Sequence, residues 1–191
     1  MPKPVHPAVV HFPLAFLILA FGLDIVHSLS PKLPQAFSSK LAPSTDLTRA
    51  SYFLLSAGLL TGVPALVTGG REAVMLIAKQ GMWESDSKGE SVVRTKVKAM
   101  IAHAVVNDLV LGLTSLVWYK KRQNATNTLA GKMGVGSAST GAAAYQASTW
   151  MVFLEAFLFV GLIMGANIGG SLTYIFGIGF NAGGNSGKKK Q

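Results

Sequence analysis

The sequence contains no cysteine. Disulfides, iron–sulfur clusters and thiolate metal ligands are therefore excluded, and any metal or haem must be held by His, Met, Asp or Glu. Charge is the second shortage. Only 13% of the residues are Asp, Glu, Lys or Arg, where a soluble domain carries about 25%. So few charges cannot cover a water-facing surface, and 50% of the chain is hydrophobic. Acidic residues are the scarcest, 8 against 17 basic ones, for a net charge of +9. The basic residues neither gather on one amphipathic element nor interleave with aromatics. They flank apolar runs, as Lys3, Lys96, Lys98, Lys120, Lys121, Arg122 and Lys188 do. Cations in such places meet anionic headgroups and set topology, so the partner they imply is a lipid bilayer and not nucleic acid. Enzyme signatures are missing too. No HExxH, P-loop or dinucleotide fingerprint occurs, and the glycines of GGNSG and GKMGVG lack a strand–turn–helix context.

What the chain does have is four long apolar runs, at about residues 8–29, 50–77, 99–119 and 150–168. Crossing a hydrocarbon core of ~30 Å takes about 20 helical residues. The expected fold class is therefore an all-α integral membrane protein, a four-transmembrane-helix bundle forming one domain over residues 1–191. A cleavable signal peptide is the competing reading of the first run. Its length, Asp24, His27 and the lack of a small-x-small cleavage site favour a mature helix. Ser44 or Thr45 is expected to cap the second helix. Within it, Gly58-x-x-x-Gly62 is a small-residue contact motif, and Pro64 is expected to kink the helix. Residues 79–98 read as a charged loop. Trp118 and Tyr119, followed by Lys120, Lys121 and Arg122, read as a helix leaving through the headgroup layer. Residues 123–149 read as a flexible loop, the glycine-interrupted stretch after 168 as a fold-back at the interface, and 181–191 as a polar tail.

Ionisable groups inside apolar runs are costly and point to function. Here they are His11, Asp24, His27, His103, Asp108 and Glu155, with His6 just outside. The first and third helices run in the same direction, so His11 and His103 are expected near one membrane face at similar depth. Asn107 and Thr114 continue a polar stripe from His103 that should face the interior. Two imidazoles on separate helices of a bundle can ligate haem or contribute to a metal site; they can equally serve a structural role by bonding neighbouring carbonyls. Asp24 and His27, with Arg49 and Glu155, are expected to form an ion-pair cluster closing the other end. A proton relay or ion site is the alternative there. Asp108 needs a buried donor that the sequence does not identify.

HPAVVHFPLAF at residues 6–16, the His103-x-x-x-Asn107 helix and the ending GGSLTYIFGIGF resemble the membrane-protein family known as domain of unknown function 2231. That resemblance rests on His6, Pro7, Val10, His11, Phe12 and Pro13, on His103 and Asn107, and on Gly170, Leu172, Tyr174, Gly177 and Gly179. It implies a four-helix unit. Because some relatives are similar to proteins joined to Rieske-type iron–sulfur domains, it also implies membrane electron transfer. Without cysteine, this chain could act there only as a redox partner or a haem carrier.

The leading expectation is thus a b-type haem protein with His11 and His103 as ligands, His6 in a secondary role and Asn107 beside them. A non-catalytic scaffold or assembly partner is the second, since the glycine spacings could pack another protein or a second copy of this chain. A proton or metal transporter using Asp24, His27 and Asp108 is the third. Asn124 begins a glycosylation sequon too close to the third helix to be used.

With four spans, ten basic residues fall on the side of the termini and seven on the other, so both termini are expected in the cytoplasm. The cysteine-free chain makes this simple to test. In sealed vesicles with the cytoplasmic face outward, an impermeant maleimide should label Ser87→Cys and not Asn127→Cys; the reverse pattern inverts the orientation.

Overall fold

The computed structural model describes residues 5–130 and 138–178. In chain order the elements are α1 (Val5–Val9), α2 (His11–Leu29), a 3-10 turn (Ser30–Lys32), α3 (Gln35–Ser38), α4 (Ser44–Gln80), β1 (Trp83–Ser85), β2 (Ser91–Val93), α5 (Thr95–Ala130), α6 (Ala138–Tyr145) and α7 (Thr149–Tyr174). Among the described residues, four helical segments are long and apolar enough to cross a membrane: Val5–Lys32, Ser44–Gln80, Thr95–Thr128 and Thr149–Tyr174. The protein is an all-α membrane bundle. Its α2 packs on α4 and α7, and α5 packs on α7 and α4, so α2 and α5 are diagonal partners, as are α4 and α7.

Burial inside the bundle follows one stripe per helix. On α2 it is Pro13, Leu17, Ala20, Phe21 and Asp24; on α4 it includes Ser51, Leu55, Gly58, Gly62 and Ala65; on α7 it includes Glu155, Leu158, Leu162 and Gly165. Alternating steps of three and four keep a single face inward along a helix of 3.6 residues per turn. On α5 the buried stripe is Val110, Thr114, Val117 and Lys121. The outer faces are apolar instead: Phe53, Leu60, Val63, Phe153, Phe157 and Ile163 are all exposed. Large apolar groups facing outward and charges facing inward suit hydrocarbon and not water.

Several boundaries differ from those expected. Helix α7 does not stop at 168 to fold back. It continues through Gly169 and Gly170 to Tyr174, and the chain then turns at Gly177, whose φ of 65° lies in the left-handed region. The second helix is continuous from Ser44 with Pro64 inside it, Pro43 rather than Ser44 or Thr45 at its N-cap position and no side-chain cap. Thr48 instead turns its hydroxyl back onto the Ser44 carbonyl at 3.0 Å. Gly81, with φ 72°, ends that helix. The charged segment after it is a small antiparallel hairpin pairing Trp83 with Val93. The region expected to be a flexible loop contains the end of α5 and all of α6, which packs on α4 and α5. Residues 131–137 and the tail at 181–191 lie outside the described residues.

Helices α2 and α4 approach closely at Gly58, where a Cβ would sit 2.5 Å from Leu17 Cδ2. Overpacking such a contact costs about 1–3 kcal/mol. Gly58→Leu is expected to lower the melting temperature in detergent, and Leu17→Ala should recover part of the loss by vacating the space. Additive losses in the double variant would show that the two residues do not meet.

Candidate functional site

Polar side chains gather at the two ends of the bundle, and each end receives a contribution from all four spans. At the end where α1 begins, His6 and His103 come within 6.4 Å of each other, ring centroid to ring centroid, with their planes 85° apart. They belong to diagonal helices. The remaining two helices supply glycines: a Cβ on Gly69 would fall 2.8 Å from His6 Cε1, and one on Gly169 would fall 2.8 Å from His103 Cε1. Both rings therefore lie in places that only glycine leaves open.

Hydrogen bonds define which nitrogen of each ring carries its proton. His103 Nδ1 is 2.9 Å from the Gly165 carbonyl oxygen, which can only accept, so Nδ1 is the donor. Asn107 braces this helix turn by donating to the His103 carbonyl at 2.7 Å, and its amide lies 3.2 Å from His103 Nδ1. His6 Nδ1 is 3.1 Å from Thr68 Oγ1. That hydroxyl gives its one hydrogen to the Pro64 carbonyl at 2.8 Å, so it accepts from His6. Both imidazoles thus hold a proton at Nδ1 and present an Nε2 lone pair.

His11 does not take the place expected of it. It is exposed, on the face that also carries exposed Ala15 and Leu19. His6 is the inward histidine because it lies about five helical turns before Asp24, on the stripe through Pro13 and Leu17. The paired depth inferred for His11 and His103 belongs to His6 and His103.

At the opposite end the chemistry is ionic. Asp24 Oδ2 accepts a hydrogen bond from Lys121 Nζ at 2.5 Å and another from Ser51 Oγ at 2.5 Å. Lys121 also donates to Ser51 Oγ at 3.0 Å, and both ends of the ion pair have 0% side-chain exposure. Glu155, fully buried, stands beside Asp24 and Lys121. Its two carboxyl oxygens and Asp24 Oδ1 have no hydrogen-bond partner among the described residues. A fourth orphan, Thr114 Oγ1, lies between the two ends.

The cluster expected here was Asp24, His27, Arg49 and Glu155. Asp24 and Glu155 are in it; Lys121 and Ser51 replace the other two. Arg49 is exposed and reaches towards Gly141 of α6, because one residue from Thr48 turns it about 100° off the buried stripe. His27 is half-buried, and its carbonyl accepts from Ser30 Oγ at 2.8 Å. Asp108 is exposed, so Asp24, His27 and Asp108 form no common site. Lys121, read as a headgroup cation, is inside the bundle. Trp118, read as an interface marker, packs against α4: its indole N–H donates to Ser56 Oγ at 2.8 Å and its ring stacks on Tyr52. The signal for Lys121 was available, since it continues the His103, Asn107 and Thr114 stripe by one further heptad.

The inward histidine and its neighbours fall in the segment matched by a family described as "Predicted membrane protein (DUF2231)", over residues 2–182. The chain belongs to this family. Within the matched residues, His6 faces the interior of the bundle and His11 faces outward. No curated protein and no solved structure matches the chain, so the roles of these residues must be argued from their geometry.

Removing one partner of a buried ion pair leaves the other charge stranded, at a cost of about 3–5 kcal/mol. Lys121→Met is expected to lower the melting temperature in detergent strongly, whereas Lys121→Met with Asp24→Asn should restore much of it. Equal destabilisation by the single and double variants would remove the ion pair as the source.

Proposed function

We propose that this family member is a b-type haem protein that carries single electrons in the membrane, with His6 and His103 as the residues that would hold the haem. The observation that carries the reading is the pair of Nε2 lone pairs on diagonal helices. Nδ1 of His103 is tied to a carbonyl and Nδ1 of His6 to a threonine hydroxyl, the outer-shell arrangement that orients histidine ligands and fixes their tautomer. The two ring centroids are 6.4 Å apart, close enough for both imidazoles to hold one group. The donor set also suits haem better than a protein-only metal cage: no group of three or more His, Cys, Asp or Glu that could hold a metal occurs among the described residues, and haem supplies four ligands of its own.

In this reading Thr68, Gly165 and Asn107 orient the ligands, while Gly69 and Gly169 leave room for their rings. The bound group would supply one-electron chemistry. The chain would contribute a low-dielectric surrounding and a position near one membrane face, within reach of a redox partner there.

The test is the visible spectrum of the full chain purified in detergent from haem-replete cells, with a pyridine haemochrome assay. A Soret band is expected. His6→Ala and His103→Ala should each shift or abolish it, while His11→Ala leaves it unchanged. A colourless, folded protein overturns the proposal, and sensitivity to His11 with indifference to His6 would overturn the ligand assignment.

A further inference from the structure

The ionic end of the bundle does not balance. Two carboxyl groups, Asp24 and Glu155, share one ammonium, Lys121, with all three buried. With both carboxylates ionised, the cluster holds one uncompensated negative charge in the apolar core. Isolated charges in such surroundings cost several kcal/mol or more. The hydrogen-bond inventory shows the same deficit. Ser51 and Lys121 both donate to Asp24 Oδ2, leaving Oδ1 bare, and Glu155 has two bare oxygens. The two carboxyl groups are neighbours, but ionised carboxylates only accept. The site lacks one positive charge and one donor.

We propose that the Asp24–Ser51–Lys121–Glu155 cluster is a proton-binding site, in which Glu155 holds one proton as a carboxylic acid and donates it to Oδ1 of Asp24. One hydrogen supplies both missing items: it makes the cluster neutral and it joins two orphaned oxygens. Asp24 is the ionised member because its other oxygen already accepts from an ammonium and a hydroxyl. Release of the proton would leave Glu155 charged beside Asp24, so proton uptake and release are coupled to the packing of α2, α4, α5 and α7 at this end.

A metal cation would also supply the charge, but it suits the site poorly. Hard cations take about six or more oxygen ligands, whereas three free carboxyl oxygens and one hydroxyl are present, and the Lys121 ammonium stands among them. The other charged groups near this end lie further out. Arg49 on α4 is exposed next to α6, and Arg122 on α5 sits over the Trp118 ring, 5.6 Å from its centroid. His27 on α2 is half-buried one turn beyond Asp24, and Tyr145 of α6 packs on Tyr52, 4.9 Å between ring centroids. On α5, Thr114 is about 10 Å along the axis from both Asn107 and Lys121, too far for direct transfer.

Infrared spectroscopy of the full chain in lipid, at neutral pH and in sodium-free buffer, tests this directly. A carboxylic-acid carbonyl band that shifts in deuterium oxide is expected in the wild type. Glu155→Gln, a neutral isostere of the acid, should remove one such oscillator and leave the fold intact by circular dichroism. Asp24→Asn should also remove the band, because Glu155 then ionises to balance Lys121, and Lys121→Met should add a second oscillator as Asp24 takes a proton too. Identical acid bands in wild type and Glu155→Gln overturn the proposal. So does loss of the wild-type band on adding sodium alone, which would make the site a cation site. None of these readings depends on haem, because the histidines lie at the other end.

Discussion

An ammonium and a carboxylate buried together in the apolar interior, as Lys121 and Asp24 are, constrain everything around them. Neither charge is tolerable there alone, and each is carried by a different helix of a diagonal pair. The pair can exist only when α2 and α5 stand at one relative depth and rotation. Ser51 from α4 bridges both partners, and Glu155 from α7 lies against them, so all four spans are registered at one point. Whether the pair adds net stability matters less than the penalty for separating it, which disfavours other registers of the same four apolar helices.

That register has consequences at the far end. Asp24 and His6 are about five turns apart on the first span, and Lys121 and His103 are about five turns apart on the third. Five full turns return a side chain to the same face, so helices that bring Asp24 to Lys121 also bring His6 to His103. The glycines of α4 and α7 complete the arrangement by leaving space for the two rings. Between the ends, Leu17, Phe21, Leu55, Val110, Leu158 and Leu162 fill the core. The structure is therefore polar at both ends of its axis and apolar on its lipid-facing surface.

Much of this was legible in the chain. The interior stripe of α5 was visible from His103, Asn107 and Thr114, because polar residues in an apolar run seldom face lipid. The Gly58–Gly62 contact was visible on similar grounds, since small residues mark close approach. The histidine pair was legible only in part: the helices and their shared direction were right, but a motif holding two histidines five residues apart does not say which one faces inward. Lys121 was missed because it lies next to Lys120 and Arg122 after an aromatic pair, where a snorkelling headgroup cation is the ordinary reading.

By itself, the sequence determined the membrane setting, the four spans and their alternating direction, because those depend on hydrophobic length and on local chain geometry. Tertiary structure alone decided that His6 rather than His11 meets His103, and that Lys121 rather than Arg49 meets Asp24. The physical reason is that helical periodicity gives the angle between residues on one helix but not the rotation of one helix against another. A lysine near a helix end lies inside or outside according to whether a counter-charge waits for it, and here that charge comes from a residue 97 positions away.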